Sequence, residues 1–106
     1  MTEPKPIACS LGARELRRRL DEITALGRDS LTAAQTRDGS HVLHFRSDEE
    51  TRRRLAAVVS AESECCPFLD FDLREHDGEL VLTLVAPAAG RAVADELVAA
   101  FTAGSR

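Results

Sequence analysis

The sequence is poor in aromatic residues: Trp and Tyr are absent, and aromatic residues make up 4% of its 106 positions. A core must therefore be built mostly from Leu, Val and Ala. No apolar run approaches the roughly 18–20 residues that a bilayer-spanning helix needs. No apolar signal-peptide segment follows Met1 either. These absences predict a cytoplasmic protein without a membrane partner.

The motifs of common enzyme and cofactor classes are also missing. There is no Gly-rich phosphate loop, no spacing that suggests a Ser–His–Asp arrangement, and no Cys-x-x-Cys pair. The net charge of −4 argues against nucleic-acid binding, which needs a positive field. Arginine triplets at 17–19 and 52–54 are most simply solvated helix faces, the alternative being a patch for phosphate or an acidic partner. We expect no organic cofactor and no nucleic-acid partner.

The chain is 43% apolar and 30% charged, an ordinary balance for one globular domain. Apolar residues at helical spacing predict a first helix over 11–26, with Gly27 as the residue after its end. A β-rich stretch at 30–36 and an alternating strand at 41–46 follow. Asp38-Gly39 between them predicts a type I′ hairpin turn, which requires positive φ.

The second half repeats this order. Ser47 and Glu50 form a capping box that predicts the start of a second helix, and Pro67 predicts its end near Cys65 and Cys66. Two more alternating strands flank the turn signal Asp77-Gly78, and a last helix begins at Pro87. The order α-β-β-α-β-β-α, with two αββ units, predicts an α+β fold. In it, a four-stranded antiparallel sheet carries the helices on one face.

We expect a flexible N-terminal tail over residues 1–8 and a single domain over 9–103. The open sheet face or edge could support a homodimer. The expected tail, domain bounds and homodimer do not depend on a particular sequence motif.

Three cysteines are the chemically distinctive residues of the chain. An odd number in a reducing cytoplasm predicts thiols rather than a disulfide framework. If helix 2 runs antiparallel to helix 1, Cys9 at the start of one meets Cys65 and Cys66 at the end of the other. His41, just after the first hairpin turn, belongs at the same end, whereas His76 falls at the opposite end. Each cysteine taken alone can also be a small buried packing residue.

Glu62 adds a carboxylate to this group. It falls on the apolar stripe of the second helix, one turn before the cysteines, where it needs a cation, a donor or a metal, unless the helix frays and Glu62 lies in water. Three thiolates can hold Hg(II), As(III) or Cu(I). They can also hold Zn(II) if His41, Glu62 or water serves as a fourth ligand. Adjacent cysteines do not readily close a relaxed disulfide with each other, but either can pair with Cys9.

Two motifs carry a resemblance to a known family. Residues 9–11 read Cys-Ser-Leu, and residues 62–69 read Glu-Ser-Glu-Cys-Cys-Pro-Phe-Leu. In these segments the chain resembles a family of small, largely uncharacterised bacterial proteins with a Cys-x-Leu opening and a Glu-x-x-Cys-Cys-x-Phe-Leu segment. Some members occur in mercury and other heavy-metal resistance contexts. The resemblance covers roughly residues 7–101, but only these two motifs are specific.

The resemblance implies that Cys9, Cys65 and Cys66 act together, with Glu62, as a thiol-based metal site used in detoxification. No histidine matches the family pattern, so His41 rests on the topological argument alone.

Three functions remain open from the sequence. The first is a soft-metal binding protein that takes Hg(II) or a similar ion through three thiolates. The second is a thiol enzyme, either a disulfide reductase that cycles Cys9 against Cys65 or Cys66, or a lyase that cleaves metal–carbon bonds with Glu62 as the acid. The third is an interaction module whose cysteines are packing residues.

Overall fold

The computed structural model describes residues 13–103, apart from the side chains of Ala13 and Leu16. The predicted tail over 1–8 and Cys9 lie outside this range. The helices and strands follow the predicted order: α1 (Ala13–Ser30), β1 (Leu31–Arg37), β2 (Ser40–Arg46), α2 (Glu49–Cys65), β3 (Asp70–His76), β4 (Glu79–Val85) and α3 (Arg91–Ala103), with a short 3₁₀ turn (Ala88–Gly90) before α3. None of the described helices is long and apolar enough to cross a bilayer.

The four strands form one antiparallel sheet in the order β1-β2-β4-β3. Both hairpins turn through the predicted dipeptides. Asp38 and Gly39 have φ values of 49° and 80°, and Asp77 and Gly78 have 51° and 78°. Positive φ at both central positions is the geometry of a type I′ turn. The α+β fold predicted from the sequence is therefore confirmed.

The two central strands bury every second residue. Leu43 and Phe45 of β2 face the core, as do Leu80, Leu82 and Leu84 of β4, while the residues between them are only partly buried or exposed. The helices add apolar side chains to the same buried cluster: Ile23, Leu26, Leu55, Ala94, Leu97 and Phe101. The helices thus cover one face of the sheet, as predicted.

The first helix is longer than predicted, because Gly27 does not end it. Gly27 lies inside α1, and a Cβ placed there would be 1.9 Å from the carbonyl oxygen of Phe101 on α3. The glycine is required for the close approach of two helix backbones rather than for a left-handed cap. The prediction of a helix end at 26 was wrong for this reason.

The second helix is capped one residue later than predicted. Asp48 is the N-cap, and its side chain accepts a hydrogen bond from the backbone N–H of Thr51 over 2.8 Å. The Ser47 hydroxyl instead donates to Glu75 on β3. The Ser-x-x-Glu motif thus placed the start of the helix to within one residue, but the capping residue is Asp48 rather than Ser47.

Contacts at both ends show that α1 and α2 run antiparallel. Arg54, near the start of α2, donates to Asp29, near the end of α1, over 3.1 Å. Farther along, Arg19 of α1 meets Glu62 of α2. The first half of α1 therefore lies beside the second half of α2. This is the helix arrangement on which the predicted meeting of Cys9 with Cys65 and Cys66 depends.

Candidate metal centre

The cysteine pair sits where α2 gives way to the loop before β3. Cys65 is the last helical residue, and Cys66 has left the helix with φ −126° and ψ 74°. The residue before a proline is disfavoured in helical conformation, so Pro67 explains this ending. The Cys66 N–H still donates to the Glu62 carbonyl over 2.7 Å, and the Cys66 carbonyl accepts from the Leu69 N–H over 3.0 Å.

The loop after the pair is anchored to the core on its far side. Leu69 is buried, and Phe68 packs partly buried against the same cluster. A Cβ on Gly90 would be only 2.7 Å from the Phe68 ring, so the glycine gives this ring its place beside the start of α3. The backbone that carries the cysteines is therefore fixed by tertiary packing.

Three potential ligands converge inside the protein at this point. The ligand atoms of Glu62, Cys65 and Cys66 all lie within 4.8 Å of one another. All three residues are buried, with Glu62 1% exposed, Cys65 5% and Cys66 0%. Two sulfur atoms and a carboxylate at this spacing can hold a metal ion, with sulfur favouring soft ions.

Glu62 is compensated by a cation from the neighbouring helix. The Arg19 guanidinium donates to its carboxylate over 3.1 Å, and Arg19 itself is 22% exposed. A buried carboxylate without such a partner would be costly. Burial of Glu62 agrees with its predicted place on the inward stripe of α2 and excludes a solvent-exposed position at a frayed helix end.

Burial also governs the chemistry of Cys66. The pKa of the Cys66 thiol is raised to about 11, chiefly by desolvation and also by the nearby Glu62 charge, while Arg19 acts in the opposite direction. At neutral pH the group is therefore a protonated thiol, and a metal ion that binds it must displace the proton. A buried, protonated thiol is also a poor nucleophile.

The two cysteines differ in redox state. Cys65 is disulfide-bonded, whereas Cys66 carries a thiol. This differs from the expectation that the cysteines are all thiols. The sulfur of Cys65 becomes a metal ligand only after reduction, because metals bind the thiolate.

His41 occupies the predicted end of the sheet but has other partners. It is buried, its Nδ1 lies 2.7 Å from the Thr36 hydroxyl, and its Nε2 lies 3.2 Å from a carboxylate oxygen of Asp95 on α3. It is not among the three residues of the ligand group found in the described part of the chain. Its proposed role as a fourth ligand stays a prediction.

Of the other predicted site residues, the structure brings Glu62, Cys65 and Cys66 together, and Cys9 lies outside the described residues. His76 is at the opposite end of the sheet, where it pairs with Glu79.

The residue that sequence reasoning missed is Arg19. It was assigned with its neighbours to a solvated helix face, yet it reaches the buried carboxylate. The signal was present, since Arg19, Ile23 and Leu26 follow helical spacing along one face of α1. An arginine and a glutamate on the inward faces of adjacent antiparallel helices predict an ion pair.

The remaining described arginines of the triplets fit the simpler interpretation. Arg17 and Arg18 are exposed, and Arg52, Arg53 and Arg54 make ion pairs at or near the surface. Such pairs on helix surfaces contribute little to stability.

Comparison with known proteins does not identify a function for this site. No protein-family model matches the chain. No curated protein and no solved structure matches it either.

Proposed function

We propose that the protein binds a soft heavy-metal ion, Hg(II) or one of similar softness, and acts in metal resistance or handling. The thiolates of Cys65 and Cys66 hold the ion, with Cys9 as the third. The main support for this proposal is that Cys65, Cys66 and Glu62 are buried together, with their ligand atoms within 4.8 Å of one another. Thiolate pairs in an apolar surrounding bind thiophilic ions in preference to hard ones.

The protonation and redox states of the cysteines define when binding occurs. Cys66 must lose its proton to the solvent, and Cys65 must be reduced. Binding therefore belongs to the reduced protein and releases protons.

The test is titration of the reduced protein with Hg(II), Zn(II), Cu(I) and As(III), read by native mass spectrometry and thiolate-to-metal absorption. We expect one Hg(II) per chain. Cys66→Ser should weaken Hg(II) binding at least about 100-fold, since even outer partners of metal ligands contribute about 10–100-fold. Cys65→Ser and Cys9→Ser should each weaken it as well.

The matched control is Ser63→Ala, an exposed position on the same turn of α2. This variant should bind like the parent protein. A reduced protein that takes up none of the four ions, or a Cys66→Ser variant with undiminished Hg(II) affinity, would refute the proposal.

Thiol–disulfide exchange is the second candidate, because a disulfide at Cys65 lies next to a thiol at Cys66. In such an enzyme the reduced protein would convert a substrate disulfide to two thiols, become oxidised itself, and be restored by a thiol such as glutathione. The raised pKa of Cys66 argues against it as the attacking group at neutral pH. Reduction of a peptide disulfide with two equivalents of reduced glutathione as the reductant, lost in Cys65→Ser, would favour this function over metal binding.

A further inference from the structure

The Arg19–Glu62 pair joins the candidate ligand group to the outside of the protein. Glu62 is 1% exposed and its carboxylate receives the Arg19 guanidinium over 3.1 Å. Arg19 also lines a groove between α1 and α2, with Ala25, Leu26, Ala57, Val58 and Ala61 among its other lining residues, whereas Glu62 does not line it. Arg19 therefore contacts the buried carboxylate and also lines the groove.

This pairing changes which donor atoms an incoming ion meets. A carboxylate oxygen engaged by a guanidinium gives up that charge-assisted hydrogen bond if it binds a metal. A divalent ion at Glu62 would also lie close to the positive charge of Arg19 and be repelled by it. With Arg19 in place, sulfur is the donor that is readily offered.

Metal ions differ in what they need from such a site. Zn(II) takes four ligands and accepts nitrogen and oxygen donors beside sulfur. Hg(II) and Cu(I) are softer and favour thiolates. Withholding an oxygen donor thus penalises Zn(II) more than Hg(II).

We infer that Arg19 is the residue that sets metal selectivity at this site, by holding the Glu62 carboxylate out of the ligand set. The inference rests on the proposed metal-binding function. In this proposal the buried Arg19–Glu62 ion pair makes the site favour soft ions such as Hg(II) over Zn(II).

The experiment compares Zn(II) and Hg(II) affinities, by competition with chelators, in the reduced protein and in Arg19→Gln. The ratio of Zn(II) to Hg(II) affinity should rise at least about tenfold in Arg19→Gln, the lower end of the effects that partners of metal ligands have. Arg18→Gln, an exposed neighbour on the same helix, is the control and should keep the parent ratio. In the double variant Arg19→Gln/Glu62→Gln the gain should disappear, because the released carboxylate is no longer there.

Glu62→Gln alone provides a second measurement, in case Arg19→Gln leaves an uncompensated buried charge and does not fold. A Zn(II) affinity that falls at least about tenfold in Glu62→Gln would show that Glu62 already binds Zn(II) with Arg19 present, and would overturn the inference. An unchanged ratio in a folded Arg19→Gln variant would also overturn it. If the parent protein binds neither ion, the proposed function itself fails. If it binds Hg(II) and only the ratio test fails, the selectivity role alone is lost.

Discussion

At the scale of single residues, the candidate site is defined by polar groups placed in an otherwise apolar interior. The core contains Leu, Ile, Phe and Ala side chains, and Glu62 and Cys66 are as fully buried as any of them. Glu62 is stabilised by Arg19. Cys66 responds to burial by holding its proton, since desolvation disfavours the charged form.

The raised pKa of Cys66 predicts a loss of stability at high pH. The thiol ionises near pH 9 in the unfolded chain and near pH 11 in the folded protein, so the folded state holds more protons between these values. Its contribution is fully present below pH 9 and lost as the pH rises through 11. The free energy of unfolding should fall by about 1–3 kcal/mol over this interval. Urea unfolding of the reduced protein from pH 8 to 11 measures it.

Cys66→Ala is the reference for this measurement. The chain has no Tyr and one lysine, Lys5, so apart from the other two cysteines few side chains titrate in this interval. The free energy of unfolding should fall less steeply with rising pH in Cys66→Ala than in the parent protein. Equal pH profiles for the two proteins would show that Cys66 is not the group responsible.

At the scale of secondary-structure elements, the site depends on how three helices are held against one another. α2 and the residue directly after it supply the candidate ligands, and α1 supplies the compensating cation. α1 is in turn fixed against α3 at Gly27, where the two backbones approach too closely for a side chain. The position of Arg19 is therefore set by a contact two turns away on the same helix.

Gly27→Ala tests this packing by the sign of its effect. If only helix propensity mattered, the exchange would stabilise α1 by about 1 kcal/mol. The new Cβ, however, would lie 1.9 Å from the Phe101 carbonyl oxygen. We expect the free energy of unfolding to fall by about 1–3 kcal/mol, as in other overpacked interiors. Urea unfolding followed by circular dichroism measures it.

The reverse exchange on the same helix, Ala25→Gly, is the control and should cost about 1 kcal/mol. A Gly27→Ala protein as stable as the parent would contradict the backbone contact between α1 and α3.

At the scale of the whole molecule, the two αββ units are arranged around the centre of the sheet. The same spacing separates Asp38 from Asp77 in the two turns and Leu43 from Leu82, and these two leucines pair with each other across the central strands. The units differ in the link between helix and hairpin. β1 follows α1 directly, whereas residues 66–69 separate α2 from β3. The segment that carries Cys66 is thus where the two units depart from each other.

The redox state of Cys65 predicts that reduction of the whole protein controls ion uptake. A sulfur held in a disulfide is not a thiolate ligand, so the protein prepared without reductant should lack tight Hg(II) binding, and reduction should restore it. Isothermal titration calorimetry in buffers of different ionisation enthalpy should also detect release of the Cys66 proton in the reduced form.

Reduced Cys65→Ser provides the comparison for that experiment. Because this variant lacks the sulfur of Cys65, its residual Hg(II) affinity should be the same with and without prior treatment with a reductant. Equal Hg(II) affinity in the oxidised and reduced parent protein would contradict the role of Cys65 as a ligand.

Much of this protein was determined by local sequence. Alternating residues such as Leu80, Leu82 and Leu84 predicted the buried face of a strand, and the Asp-Gly turns predicted both hairpins, because these signals depend on neighbours along the chain. The element order and the α+β fold followed from the same periodicities, which offered the inward position of Glu62 as one of two alternatives.

Only the tertiary structure decided what each inward-facing residue meets. It placed Arg19 on Glu62, it used Gly27 for a helix contact rather than a helix end, and it gave His41 the partners Thr36 and Asp95. These contacts join residues that are distant in the chain or lie on different elements. The pattern along one helix or strand shows which side faces inward, but it does not show which atom of another element lies opposite.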